Sequence, residues 1–219
     1  MHFDTFKIIF LPVFFLFFTP TVFFAQNYRP ATPEQQKELV KNIASASKQM
    51  KTLRCDFVQK QTITILSDEL LSEGKLWFKQ PDKLCWEYAK PYLYRFTLNG
   101  NKVMIGAENN KNNVIDVNSS KVFNEISRVI VSSVNGTGIF DEDKFAAKFN
   151  VGTENFQVEL TPKQKELKQL FANITLTFNK NDYSVNNVEI KQISGDTMYI
   201  TMKNKQINRE IGDEIFDIR

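Results

Sequence analysis

Histidine and cysteine, the side chains that most often carry catalysis or bind metal ions, are scarce in this 219-residue chain. His2 is the single histidine, and Cys55 and Cys85 are the two cysteines. A Ser-His-Asp or Cys-His site needs an imidazole base, and a structural zinc site needs four nitrogen or sulfur ligands. The sequence therefore predicts a protein that is not an enzyme and that holds no metal ion or other cofactor.

Other candidates for site chemistry are weak. The acidic clusters Asp68-Glu69 and Asp141–Asp143 lie in polar stretches, where charged side chains are usually solvated rather than catalytic. Gly136 and Gly138 follow a predicted helix and do not join a strand to a helix, as a phosphate-binding loop would. The net charge of +3 argues against a nucleic-acid-binding protein.

The N-terminal segment predicts export. Residues 1–25 contain Lys7 and an apolar run from Ile8 to Phe24 that ends at Ala25. This order, a basic flank followed by an apolar stretch and a small residue, is typical of a secretory signal. A membrane anchor is the alternative, but prolines leave apolar stretches that are short for a bilayer core. We expect a signal peptide over residues 1–25, its removal, and one exported, soluble domain over residues 26–219.

The spacing of apolar residues predicts the elements of that domain. Thr32-Pro33 with Gln35 forms a capping box that begins a helix over about residues 33–50. A second helix is expected from Ser119-Ser120 to about Val134. Elsewhere the apolar residues alternate, the signal Asn99-Gly100 indicates a hairpin, and a weak strand is expected around Ile215–Ile218.

The pattern gives a mainly β fold of the α+β class, with about ten strands and two helices. Such a sheet must curl or be covered, and the amphipathic helices are the available cover. We therefore expect a strongly curled antiparallel sheet, or incomplete barrel, whose two helices lie over the concave face. Strand parity places Cys55 and Cys85 on opposite faces, which favours two free thiols over a disulfide.

Several segments resemble the LolA family, the periplasmic lipoprotein carriers of Gram-negative bacteria. The resemblance is ordered along nearly the whole mature chain, although no single segment is diagnostic. It is carried by Phe57-Val58-Gln59, Gly74–Pro81, Leu84-Cys85-Trp86, Asn99-Gly100 and Phe156–Lys163. It implies an incomplete barrel with a helical lid and a non-enzymatic function: a monomer takes acylated lipoprotein cargo from an inner-membrane ABC transporter and delivers it to an outer-membrane receptor.

The resemblance also assigns candidate site residues. Leu84 and Trp86 match apolar positions on the inner sheet face of the family, and strand parity adds the other candidates for a lipid-binding cavity: Phe57, Leu76, Phe78, Phe96 and Met104. The underside of the lid would consist of Leu39, Ile43, Val122 and Ile126. Ordinary core packing is the alternative for each of these residues.

One position departs from the family pattern. The family commonly has an arginine before the proline that follows the second strand, and this arginine holds the lid shut; here the residue is Gln80. Glutamine can donate a hydrogen bond but lacks the charge and the five-donor fork of arginine. Gln80 is therefore a candidate for a weaker lid latch. Two other functions stay open: a carrier for another lipid, such as an acylated pigment or glycolipid, and an envelope-sensing regulator.

Overall fold

A computed structural model describes residues 27–65, 68–107, 113–116 and 141–218. The helices are α1 (Pro33–Gln49), α2 (Lys165–Lys168) and a 3-10 helix (Asp213–Phe216). The strands are β1 (Arg29–Pro30), β2 (Thr52–Ile63), β3 (Asp68–Lys79), β4 (Lys83–Lys90), β5 (Tyr94–Asn99), β6 (Lys102–Ala107), β7 (Asn113–Asp116), β8 (Phe145–Val151), β9 (Asn155–Pro162), β10 (Phe171–Asn179), β11 (Val185–Gln192) and β12 (Thr197–Ile207).

Helix α1 begins where the sequence predicts. The backbone N–H of Gln35 donates to the hydroxyl of Thr32, and the backbone N–H of Thr32 donates to the side chain of Gln35. This reciprocal pair of hydrogen bonds satisfies two backbone N–H donors that would otherwise lack a partner at the start of a helix. Pro33 has no backbone N–H, so it needs no acceptor. The capping box and the predicted helix are confirmed.

The described strands form one antiparallel sheet in the order β1-β8-β9-β10-β11-β12-β2-β3-β4-β5-β6-β7. The order ends at β1 and β7, which lie at its two edges, so the sheet is not closed into a barrel. Strand β12 pairs with β2 and thereby joins the C-terminal hairpins to the N-terminal meander. The predicted open, curled antiparallel sheet is confirmed.

One face of the sheet, which we call the inner face, carries the core. Cross-strand pairs such as Leu53 with Phe78, and Leu84 with Leu98, continue the alternation of apolar and polar residues from strand to strand. Apolar residues from β2 through β6 and from β8 through β12 join Ile43 of α1 in one buried cluster. Because strands far apart in the sheet share this cluster, the sheet must curl around it.

The two ends of the sheet differ. At one end, which we call the helix end, lie the start of β2, the turn between β3 and β4, and the turn between β10 and β11. At the other end, the hairpin end, the chain turns between β2 and β3, between β4 and β5, and between β11 and β12. Helix α1 contacts the helix end, as described below.

The prediction of a C-terminal strand around Ile215–Ile218 is wrong. Residues 213–216 form the 3-10 helix, which packs on the outer face of the sheet against Cys85. Cys55 and Cys85 are free and lie on opposite faces, as predicted. The signal segment and the predicted helix over residues 119–134 lie outside the described residues. Within the described part of the chain, no helix is long and apolar enough to cross a membrane.

Candidate functional site

The inner face brings together most of the side chains predicted to contact lipid. Six of them share the inner face of the first four strands of the meander: Phe57, Leu76, Phe78, Leu84, Trp86 and Phe96. Met104 does not lie with them. It pairs with Thr97, which pairs with Cys85, so Met104 lies on the outer face and the prediction for it is wrong. The turn after Asn99 sets this register: Val103 and Ile105 take the inner positions.

Toward the helix end, the inner face is packed. Leu76, Phe78 and Leu84 have no exposed surface, and they belong to the same cluster as Ile43. Leu39 is half-buried against this cluster. These residues form core in the conformation described, and Leu39 and Ile43 lie on the side of α1 that faces the sheet. Val122 and Ile126, the other predicted lid residues, lie outside the described residues.

Toward the hairpin end, four aromatic rings form a continuous series that we call the aromatic path: Phe57, Trp86, Tyr88 and Tyr94. The Phe57 ring centroid lies 4.9 Å from that of Trp86 and 5.1 Å from that of Tyr88, and the rings of Tyr88 and Tyr94 are 6.0 Å apart. Exposure rises along the path, from 1% at Phe57, through the half-buried Trp86 and Tyr88, to 39% at Tyr94. The path connects the core with the solvent.

A glycine makes room for the start of this path. Gly74 pairs directly with Phe57 across β2 and β3, and the Phe57 ring covers it. A Cβ at Gly74 would lie 2.7 Å from two carbons of that ring and within overlap distance of the Glu87 carbonyl oxygen. Any side chain here would displace the ring against which Trp86 and Tyr88 pack.

One polar pair is buried within the path. The Tyr88 hydroxyl donates to the Gln59 side-chain oxygen at 2.8 Å, and Gln59 is 4% exposed. Burial, with a smaller contribution from neighbouring Tyr94, raises the pKa of Tyr88 to about 12. The phenol therefore stays neutral at physiological pH. The path presents apolar rings, this satisfied hydrogen bond and the buried Trp86 Nε1–H, which has no hydrogen-bond partner among the described residues.

Beside the path, other apolar side chains of the inner face are partly exposed. These side chains on the inner face are Ile190 of β11, Met198 of β12, Ile105 of β6 and Leu70 of β3. Leu70 is 39% exposed. Together with the path they form a partly open apolar surface at the hairpin end. Its apolar side chains suit a hydrocarbon chain better than a polar ligand. Among the described residues, no three His, Cys, Asp or Glu side chains are grouped so that they could hold a metal ion.

Helix α1 is anchored at the helix end by three side chains that bind its last carbonyl groups. Gln80 Nε2 donates to the Ser47 carbonyl at 2.9 Å, Lys51 Nζ to the Lys48 carbonyl at 3.0 Å, and Asn208 Nδ2 to the Gln49 carbonyl at 3.0 Å. Such contacts satisfy acceptors that a helix end leaves free. Gln80 therefore connects the turn between β3 and β4 with α1.

The middle and the start of α1 are held as well. Asn42 Nδ2 donates to the Tyr183 hydroxyl at 2.9 Å, and just before the helix the backbone N–H of Ala31 donates to the Phe149 carbonyl. The groove of about 350 Å³ between α1 and this end of the sheet is lined in part by Asn42, Gln49, Asp182 and Asn208. These polar groups suit water or a polar ligand better than a hydrocarbon chain.

Sequence reasoning did not assign Tyr88, Tyr94 and Leu70 to the site. The alternation of residues along the strands places these three side chains on the same face as Trp86 and Phe57, so the sequence pattern was sufficient to assign them to the inner face. The pattern does not predict their partial exposure, because that exposure depends on where α1 crosses the sheet.

Comparisons with known proteins agree with this fold. No curated protein gives a significant match to the sequence. Among solved structures, MucB superposes with a TM-score of 0.51 at 8% identity, over 87% of this chain and 65% of MucB. An uncharacterized conserved protein from Thermus thermophilus gives 0.50 at 9% identity, over 84% of this chain and 94% of that one. A LolA superfamily protein from Nitrosomonas europaea gives 0.45 at 10% identity, over 83% and 97%.

The sequence match is more specific than the similarities to MucB and to the Thermus thermophilus protein, which show the fold alone. The family model described as "Outer membrane lipoprotein carrier protein LolA" matches residues 48–219, which include the aromatic path, Gly74 and Gln80. The match covers most of the chain, and the predicted resemblance is confirmed. This chain belongs to the LolA family of outer-membrane lipoprotein carrier proteins.

Proposed function

We propose that this protein is a periplasmic carrier that shields the acyl chains of lipoproteins and moves them from an inner-membrane ABC transporter to an outer-membrane receptor. Family membership supports a carrier rather than an enzyme. The observation that carries the proposal is the aromatic path, whose exposure rises from the buried Phe57 to the partly exposed Tyr94. The path offers a continuous apolar route from the surface into the inner face.

The physical need for such a carrier is large. Each methylene that leaves water contributes about 0.8 kcal/mol, so a chain of about 15 methylenes gains roughly 12 kcal/mol on burial. A free acyl chain therefore does not cross an aqueous compartment at a useful rate. A surface that stays partly open also suits a carrier, because a chain held there can be passed to the next partner without unfolding the protein.

The anchoring of α1 supports one direction of entry. Both ends of the helix are bonded to the sheet, and the side chains beneath it are packed. We infer that acyl chains enter from the hairpin end, while Leu39 and Ile43 form the underside of a cover over the helix end. In this function Gln80 acts as a latch that holds the helix C-terminus on the turn between β3 and β4.

The two tryptophans provide a test with an internal control. Trp86 lies on the aromatic path, whereas Trp77 lies on the outer face, beside Cys85 and the C-terminal residues. In the Trp77→Phe variant, a brominated fatty acid should quench the remaining Trp86 emission strongly and saturably. In the matched Trp86→Phe variant, the same probe should leave Trp77 emission nearly unchanged. Equal quenching in both variants, or none in either, would contradict a lipid site on the inner face.

Cargo identity needs a separate measurement. Native mass spectrometry of the mature protein from a periplasmic extract of its host should detect an adduct with the mass of an acylated lipoprotein or its N-terminal peptide. A small non-peptide lipid would instead favour the carrier for another lipid. A mass without adduct would favour the envelope-sensing regulator. The same spectrum would test removal of residues 1–25, because the mature chain should begin at Gln26.

A further inference from the structure

The tips of three hairpins carry exposed apolar side chains, all at the hairpin end. Ile65, in the turn between β2 and β3, is 88% exposed, and Ile193, between β11 and β12, is 59% exposed. Tyr92 and Leu93, between β4 and β5, are 80% and 44% exposed. We call these four residues the apolar tips. Single exposed apolar residues are ordinary, but these four lie at one end of the sheet, on turns whose strands are neighbours in the order β11-β12-β2-β3-β4-β5.

We propose that the apolar tips dock this protein on the surface of an electrically neutral, zwitterionic lipid bilayer. The inference rests in part on the proposed carrier function, because the aromatic path opens at the same end. Tyr94, the last ring of the path, follows directly after Tyr92 and Leu93. A bilayer in contact with the tips would therefore adjoin the mouth of the path, and an acyl chain could move between them without crossing water.

The composition of the tips fits a bilayer interface. Isoleucine and leucine favour the hydrocarbon boundary, and tyrosine is enriched at the level of the lipid headgroups, where its ring is buried and its hydroxyl stays hydrated. Hairpin turns are also the parts of a sheet that reach a flat surface first. The four residues come from three separate turns, so the contact with the bilayer would be shared among three hairpins.

The charges near the tips favour a neutral bilayer over an anionic one. Three lysines on the strands that lead to the tips each pair with a glutamate: Lys60 with Glu69 at 2.7 Å, Lys90 with Glu73 at 3.2 Å, and Lys191 with Glu189 at 3.4 Å. Because these pairs cancel locally, they add little attraction for anionic headgroups, which basic clusters usually provide. Asp68 and Asp196 lie at two of these turns and accept backbone hydrogen bonds there, so their negative charge also disfavours anionic headgroups. The apolar side chains are then the main source of affinity.

Flotation of the mature protein with phosphatidylcholine vesicles tests the proposal. We expect the wild-type protein to float with these vesicles, and added phosphatidylglycerol to change the bound fraction by less than about twofold. The Tyr92→Asp, Leu93→Asp double variant should bind at least tenfold more weakly. The matched control is Tyr199→Asp, which introduces the same kind of charge at a tyrosine of β12. Tyr199 is as exposed as Leu93, at 44%, but points from the outer face, so the variant should bind like wild type.

Each other outcome overturns the proposal: no binding of the wild type, binding only to anionic vesicles, or equal loss in the double variant and the control. Thermal melting of each variant verifies folding, and Ile193→Asp provides a second variant on a different hairpin if the double variant fails to fold. Quenching of Trp86 by brominated fatty acid without vesicles separates this proposal from the carrier function. This quenching is read in the Trp77→Phe background, where the double variant should keep it. If the Trp77→Phe protein lacks the quenching but still docks, the carrier function fails and the docking surface stands.

Discussion

The substitution Gly74→Ala tests the packing on which the aromatic path depends. The added methyl group would overlap the Glu87 carbonyl oxygen and lie 2.7 Å from Cε1 and Cζ of Phe57. One obstacle is backbone and the other is a ring that is 1% exposed, so neither can move freely. Overpacking of this kind costs up to about 3 kcal/mol. Alanine recovers about 0.5–1 kcal/mol of the backbone entropy lost by glycine in a strand, which leaves a net loss of about 2 kcal/mol.

Urea denaturation measures this loss. With a slope of about 2 kcal/mol per molar urea, the midpoint should fall by about 1 M. Trp86 emission should also shift in the folded variant, because the Phe57 ring lies 4.9 Å from Trp86. Gly100→Ala is the control: Gly100 has a φ of 61°, and its added methyl group would have only the Asp82 carboxylate near it, at 3.9 Å. It should lose about 1 kcal/mol from backbone strain without the spectral shift. A Gly74→Ala protein as stable as wild type would refute the packing argument.

Three further predictions concern other parts of the fold. Burial raises the pKa of the Cys55 thiol to about 12, above its ordinary value of 9.0, so the contribution of the buried neutral thiol to stability is complete below pH 9 and is lost as pH rises toward 12. The Cys55→Ala substitution should therefore make the alkaline fall in melting temperature shallower. An unchanged slope would exclude this thiol as the cause of the fall. The Gln80→Ala substitution should lower the free energy of unfolding by about 1 kcal/mol in urea denaturation, because the Ser47 carbonyl loses its hydrogen-bond donor. The Gln80→Arg substitution should keep most of that stability. Equal losses in the two variants would argue against the latch contact. The Asp213→Ala substitution should speed the labelling of Cys85 by a thiol reagent while Cys55 stays protected. The reason is that the Asp213 carboxylate holds the C-terminal 3-10 helix over Cys85 through its salt bridges with Lys79 and Lys83. An unchanged labelling rate would show that other contacts hold that helix.

The predictions made from sequence are most successful where a local signal is strong. The capping box at Thr32 depends on residues three apart, so it specifies the start of α1 without any tertiary contact. The alternation around Leu84 and Trp86 likewise identifies the inner face, because each strand has one buried and one more exposed side. The errors concern Met104, which one turn moves to the outer face, and the C-terminus, where Asn99 and Arg95 bind the carbonyl groups of a 3-10 helix instead of a strand.

The sequence by itself determined the class of fold, the capped first helix, the face of most inner residues, the separation of the two cysteines and the resemblance to a carrier family. These features follow from spacing along the chain. The tertiary structure decided which inner residues are packed as core and which are half-exposed. Leu84 and Trp86 are two positions apart on one face, yet Leu84 is fully buried and Trp86 is only partly so. Periodicity identifies a face, but exposure along it depends on where α1 lies and where distant hairpins end.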